Sequence, residues 1–373
     1  MLINKALKIR IYPNKAQSEK IDATFGCCRY IYNEMLSRNQ KVYQRRGEHL
    51  SYIAMQNLLP AMKKYKPWLQ NADSQALKNA CRHLDTAYKK FFRHESGFPK
   101  YHRKHGTQSY TTTQISSIKV DGKKVRLPCL GWIKAKGLRH LPDNIKICMA
   151  TVSREPDGKY YVSINYKYEK EIQPVTVRSV LGLDYKSKGL YTDSNGHTPC
   201  MPHWFCENQA KLAKMQKQLS RKVGSRKGER KSSGWLKQYA KIVMLHKHIT
   251  DRRKNYLHTL SKRLVEQYDA IAIEDINMKS LSNKGFGNGK ATMDNGYGMF
   301  TSMLDYKLRH QGKKLIRIDK WYPSSQLCSC CGYRQQMPLS ARTYRCPSCS
   351  TVIDRDYNAA INIRSEAIRL IAV

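Results

Sequence analysis

The chain has 373 residues, and its 68 Lys and Arg against 28 Asp and Glu give a formal net charge of +40. That length exceeds one small module and allows two or three domains with cores of their own. The charge repels itself on compaction, so it points to a polyanionic partner, nucleic acid foremost, with a membrane surface as the rival. No apolar run approaches membrane-spanning length and no secretory signal is seen, so the twelve cysteines read as thiols or metal ligands in a cytoplasmic protein, with no membrane role expected.

Residues 1–13 alternate as a strand that Pro13 ends. From Asn14 to about Lys104 the pattern is helical. Ile21, Phe25, Cys28, Ile31, Tyr32 and Met35 recur near the ~3.6-residue helical period, as do Ala76, Ala80, Leu84, Ala87 and Phe91. Gly97 and Pro99 stop that block. Residues 110–170 return to β signals, with "SIKVDGKKVRLP" and "MATVSREPDGKYYVSINYKY" each broken by an Asp-Gly turn. Strand, helices, strands: the order predicts one β domain with a helical insertion.

A second unit is expected from near Pro174. "SVLGLDYKSKGLYTDSNG" reads as strand, turn, strand, and 207–222 and 235–265 as long helices. "DAIAIEDIN" is an apolar run suited to a sheet covered on both faces. A glycine-rich loop at 284–298, another helix, the strand "KKLIRID", a cysteine segment at 328–349 and a closing helix at 357–370 complete an α/β layer fold.

Cys328, Cys331, Cys346 and Cys349 form two C-x-x-C pairs separated by fourteen residues. Two such knuckles can place four thiolates tetrahedrally around one structural zinc, with Cys330 left over. Asp184 and Glu274 each end an apolar strand run, and Asp356 opens the last helix. A carboxylate in a buried strand is costly unless it is paired or binds a cation. Singly, each has an ordinary role as a cap or salt-bridge partner. Three in one α/β unit of so basic a chain suit a two-magnesium phosphodiesterase.

Here the residues carry a family resemblance. "LGLDYKSKGLYTDSNG", "IAIEDIN", "YPSSQLCSCCG", "RCPSC" and "DRDYNAAINI", in that order, resemble the RuvC-like nuclease of the TnpB family, insertion-sequence proteins related to type V CRISPR effectors. "RIYPNKAQSEKIDATFGCCRYIYNEML", "LDTAYKKFF", "GFPKYHRK" and "VRLPCLGWIK" extend the resemblance over nearly the whole chain. It implies an α+β multi-domain fold: a wedge-like β domain from 1–13 and 110–174, a helical recognition insertion at 14–109, an α/β RuvC-like (RNase H-like) nuclease from 175–320 and 350–373, and an interrupting zinc ribbon at 321–349. It implies RNA-guided cleavage of DNA beside a short motif, with a transposon-derived guide RNA and double- and single-stranded DNA as partners, in a prokaryotic, nucleoid-associated setting. It also implies that Asp184, Glu274 and Asp356 are the nuclease triad. Asp356 is preferred to Asp354 because the family's final carboxylate lies two residues before the Asn of the "NAA" helix. Tyr185 and Lys186 depart from the family, many members having a small residue and Gly there.

The helix at 73–92 is expected to hold Gln75, Lys78, Asn79 and Arg82 away from its apolar stripe, where such side chains read base edges or phosphates; a solvated face is the alternative. Residues 207–263 carry a net +14, and Lys211, Lys214 and Lys217 are candidate phosphate contacts there. "GFGNGKA" at 285–291 lacks the first Gly and the Ser or Thr of a phosphate loop, and reads as a mobile loop at the nuclease mouth. "HKH" at 246–248 reads as a helix face. Competing functions are a guide-directed DNA-binding repressor that has lost cleavage, a tyrosine transposase, or a transposase accessory protein. The intact carboxylate set argues against the first, and the missing paired-His motif against the second.

Overall fold

The computed structural model describes residues 1–372 apart from 105, 107, 139, 140, 143, 188, 227, 279–288 and 339. The chain divides into two units, Met1–Lys170 and Glu171–Val373.

The first unit is built on a seven-stranded antiparallel sheet. Strand β1 (Leu2–Tyr12) lies inside it, paired over its length with β7 (Tyr160–Glu169) and at its end with β5 (Gly131–Lys136). Its alternation places Ile3, Ile9 and Ile11 in the core. The other neighbours are β2 (Gln108–Thr112), β3 (Lys119–Asp121), β4 (Lys124–Leu127) and β6 (Lys146–Arg154), in the order β2-β6-β7-β1-β5-β4-β3. Gly122, at φ +49, turns β3 into β4.

Helices of this unit fall between β1 and β2. Helix α1 (Lys15–Arg46) opens on a capping box, the Asn14 side chain bonding the Gln17 backbone and Gln17 bonding back. Its buried stripe is the one its sequence period predicts, Ile21 through Met35. Short helices α2 (Tyr52–Asn57) and α3 (Leu59–Tyr65) lead to α4 (Ser74–Phe92), capped by Asp73. The helical pattern therefore ends at Phe92, short of Lys104, and the chain beyond it pairs with α1 through Asn33, whose side-chain amide donates to the His102 carbonyl and accepts from the His102 N–H.

The second unit has a four-stranded sheet in the order β11-β10-β8-β9. Strands β8 (Val180–Lys186), β10 (Ala270–Glu274) and β11 (Lys314–Ile318) run parallel, and β9 (Leu190–Asp193) folds back antiparallel on β8. Ala270–Ile273 of β10 are buried because both faces are covered. Helices α6 (Ser233–Gln267) and α8 (Tyr297–Arg309) pack Leu257, Leu260, Phe300 and Leu304 against one face. Helix α9 (Arg355–Ala372) packs Ile363 and Ala367 against the other. A Cβ on Gly182 would collide with the Ala360 carbonyl of α9, so only glycine allows this approach. Helix α5 (Trp204–Ser220) pairs with α6 through Leu212, Ile242 and Ile249. Of the glycine-rich loop expected at 284–298, residues 284–288 lie outside the described residues, and the rest is a correction: it is largely helical, forming helix α7 (Gly289–Asn295) and the start of α8. Between β11 and α9 stands a small hairpin, β12 (Thr343–Arg345) with β13 (Val352–Asp354). Among the described residues no helix is long and apolar enough to cross a membrane.

Candidate active site

Parallel pairing sets the first two carboxylates side by side. Leu183 pairs with Ile273, so the next residue of each strand, Asp184 on β8 and Glu274 on β10, falls at the same sheet level. Asp356 enters from the first turn of α9 and is 8% exposed. Desolvation raises the Asp184 carboxyl well above the ordinary range, and the charges of Glu274 and Asp356 raise it further. Desolvation also raises Glu274, against the pull of a hydrogen bond from the Ser324 hydroxyl. Two cations offset the cluster: Lys186 Nζ lies 3.3 Å and Arg355 3.4 Å from the Asp356 carboxylate. Lys186, two residues beyond Asp184 on β8, supplies one of them.

Asp354 and Asp356 divide two roles. Asp354 is exposed and accepts a 3.0 Å hydrogen bond from the Tyr357 backbone N–H, capping α9. Asp356 is turned inward beside Lys186. Among the described residues the buried hydroxyl of Tyr297 at the start of α8 has no hydrogen-bond partner, and desolvation together with the charges of Asp184 and Glu274 raises it. Such a hydroxyl could donate to whatever anion or water the carboxylates organise.

The four cysteines converge as well. The Sγ atoms of Cys328, Cys331, Cys346 and Cys349 all lie within 4.8 Å of one another, with Cys328–Cys349 at 3.6 Å and Cys331–Cys346 at 3.5 Å. A tetrahedron with ~2.3 Å metal–sulfur bonds has edges of roughly 3.8 Å, so the set fits zinc. Each knuckle is a tight turn: Gly332 N–H donates to Cys328 O across a φ of +75, and Ser350 N–H to Cys346 O across a φ of +60. Hydrogen bonds from the Thr351 hydroxyl and backbone draw the Cys349 thiol downward, the direction that favours a thiolate. Cys330 stands outside the cluster, exposed. Among the described residues the three carboxylates do not form so tight a group.

The candidate nucleic-acid residues fare unevenly. Lys211, Lys214 and Lys217 are exposed on α5. On α4, Arg82 is exposed and stacks over the Tyr52 ring at 5.1 Å, while Gln75 and Lys78 are half-buried. Asn79 is a correction. Expected on the outer face, it is 5% exposed, and its amide donates to Gln75 O at 2.8 Å and to Thr111 O of β2 at 3.1 Å. Helix α4 is covered on two sides, by α1 and by β2, so a single stripe underestimates what it buries.

Residues missed from the sequence are Ser324, Asn358 and Asn362. All three are buried, and the last two bond the backbone of the cysteine segment. The signal was present: two asparagines four apart on the apolar face of a helix must find partners.

Three known families match parts of the chain. A "Probable transposase" family matches residues 163–284, a "Cas12f1-like, TNB domain" residues 297–363, and a "Helix-turn-helix domain" residues 1–48. Residues 1–48 hold β1 and the single helix α1 here, not two helices. A "Putative RNA-guided DNA endonuclease" of Streptomyces pristinaespiralis is 34% identical over 97% of this chain and 89% of its own length. A "Putative RNA-guided DNA endonuclease InsQ" of Escherichia coli K12 is 28% identical over 96% of this chain and 91% of its own. The protein in a cryo-EM structure of a Cas12f1–sgRNA–target DNA complex superposes with a TM-score of 0.53 at 14% identity, covering 97% of this chain and 99% of that one, which shows a shared fold. With the ordered motifs, the cysteine cluster and near full-length identity in agreement, the chain belongs to the TnpB family, that of the insertion-sequence RNA-guided DNA endonucleases.

Proposed function

We propose that this protein binds a transposon-derived guide RNA and cleaves target DNA next to a short motif, by metal-assisted phosphodiester hydrolysis. The observation that carries the reading is the convergence of Asp184, Glu274 and Asp356 in one buried site of a chain with a net charge of +40. Three desolvated carboxylates on adjoining elements are unfavourable unless cations join them, and a cage of this kind suits a pair of magnesium ions. Magnesium bound there would supply an activated water and stabilise the leaving 3′ oxygen. The chain's own part is to hold the carboxylates on two strand ends and a helix start. Lys186 and Arg355 neutralise Asp356 before ions arrive.

In the same reading the four cysteines hold one structural zinc, closed to water because every position is sulfur. The stretches 1–13 and 110–174 serve as the wedge around a recognition insertion at 14–109. The stretches 175–320 and 350–373 form the nuclease, with the ribbon at 321–349. Lys211, Lys214 and Lys217, with Gln75, Lys78 and Arg82, face RNA or DNA phosphates and base edges.

The test is to purify the protein with RNA from its native locus, sequence that RNA, and assay plasmid cutting with magnesium. Asp184→Ala, Glu274→Ala and Asp356→Ala should each abolish cutting while guide and target binding persist, and Asp354→Ala should retain substantial activity. Normal cutting by all three triad variants would place the nuclease site elsewhere. Loss in Asp354→Ala with retention in Asp356→Ala would reassign the third ligand.

A further inference from the structure

Glu274 is the last residue of β10. What fixes it is a loop some fifty residues on. The Ser324 hydroxyl donates to Glu274 Oε1, and Ser324 is 5% exposed, so water does not compete for that bond. Helix α9 in turn holds Ser324. The Asn362 amide donates to Ser324 O at 2.7 Å and to Leu327 O at 2.8 Å. One turn earlier, Asn358 donates to Leu327 O at 2.7 Å and accepts from Ser329 N–H at 2.9 Å. Those two bonds bracket Cys328, the first cysteine of the cluster. A continuous hydrogen-bonded path thus runs from the cysteine knuckle, through two asparagines of the helix that carries Asp356, to the carboxylate of Glu274.

We propose that Ser324 is a positioning residue for Glu274, and that Asn358 and Asn362 fix Ser324 by clamping the ribbon's first knuckle to α9. The inference rests on Glu274 being a metal ligand. A carboxylate has about four lone-pair positions. With one taken by Ser324, the group's rotation is restricted, and Oε2 would remain as the ligand atom for an ion. Partners of this kind, one shell out from a ligand, are worth about 10–100-fold in metal affinity or activity. The arrangement also explains why the ribbon is inserted at this point of the nuclease. Its near knuckle supports Glu274 through Ser324, while its hairpin leads directly into Asp356.

The experiment uses guide-loaded protein and Fe2+ as the probe, with ascorbate and peroxide to cleave the polypeptide beside the bound ion. The fragments report occupancy at the carboxylates and are blind to metal on the RNA. Fragmentation near 184, 274 and 356 is followed against Fe2+ concentration, below the unfolding midpoint of each variant. Ser324→Ala should raise the half-saturating Fe2+ about tenfold or more, with zinc content unchanged, and Asn362→Ala should move it in the same direction. In a Glu274→Gln background, Ser324→Ala should have no further effect, since its partner's charge is already gone. An unshifted Ser324→Ala curve beside a weakened Glu274→Gln overturns the proposal, as does a Ser324→Ala loss that persists undiminished in the Glu274→Gln background. If Glu274→Gln itself binds Fe2+ and cuts like the parent, the metal-ligand reading of Glu274 fails instead.

Discussion

Asp184 lies among apolar strand neighbours, and two further carboxylates oppose its charge. Its folded pKa is raised above that of the unfolded chain, so the folded state binds more protons between the two values. Stability of the metal-free protein must therefore fall as pH rises through that window, from the ordinary carboxylate range upward. Asp184→Asn removes the charge and keeps the shape. Without added magnesium, the variant should unfold at a higher temperature near about pH 8 and show a flatter dependence between about pH 5 and pH 8, at ~2–4 °C per kcal/mol relieved. Thermal midpoints across that range check it, and equal slopes for the two proteins would deny that the strain exists. The same substitution should abolish cutting, a trade of activity for stability at one residue.

At the scale of elements, the ribbon and α4 teach opposite lessons. Each knuckle combines a C-x-x-C spacing with a left-handed turn residue, so local sequence suffices to shape it. The ribbon has little core of its own beyond Tyr344 and the cysteines, so on the proposed reading a metal ion would hold it. Cys346→Ser should lose zinc and cutting together, whereas Cys330→Ser should keep both, as measured by metal analysis and plasmid assay. Equal loss from the two would mean that the ligand set is wrong. Helix α4 was legible in existence and extent, but its outer face was not. Asn79 is polar, and a one-stripe pattern assigns it to solvent; burial against β2 comes from a strand more than thirty residues away. Asn358 and Asn362 were obscured the same way, their partners lying on a segment before the hairpin.

For the whole molecule the dominant quantity is the +40 charge. Nucleic-acid affinity should fall steeply with salt, because each phosphate neutralised releases counterions. Reversing Lys211, Lys214 and Lys217 to Glu should weaken guide binding and reduce the log–log salt slope by up to about three, roughly one per lost contact. An unchanged slope in a salt titration would remove α5 from the interface. What the sequence by itself determined is what local chemistry fixes: the charge, the strand and helix periods of α1, β8 and β10, and the cysteine spacing. The order of motifs carried the family. Only the tertiary structure decided which distant groups meet. Parallel register sets Glu274 beside Asp184, α9 turns Asp356 inward and leaves Asp354 as a cap, and a buried serine and two asparagines join the ribbon to the carboxylates. These are pairings between segments far apart in the chain. A hydrogen bond or a carboxylate repulsion depends on distance in space, which no local period encodes.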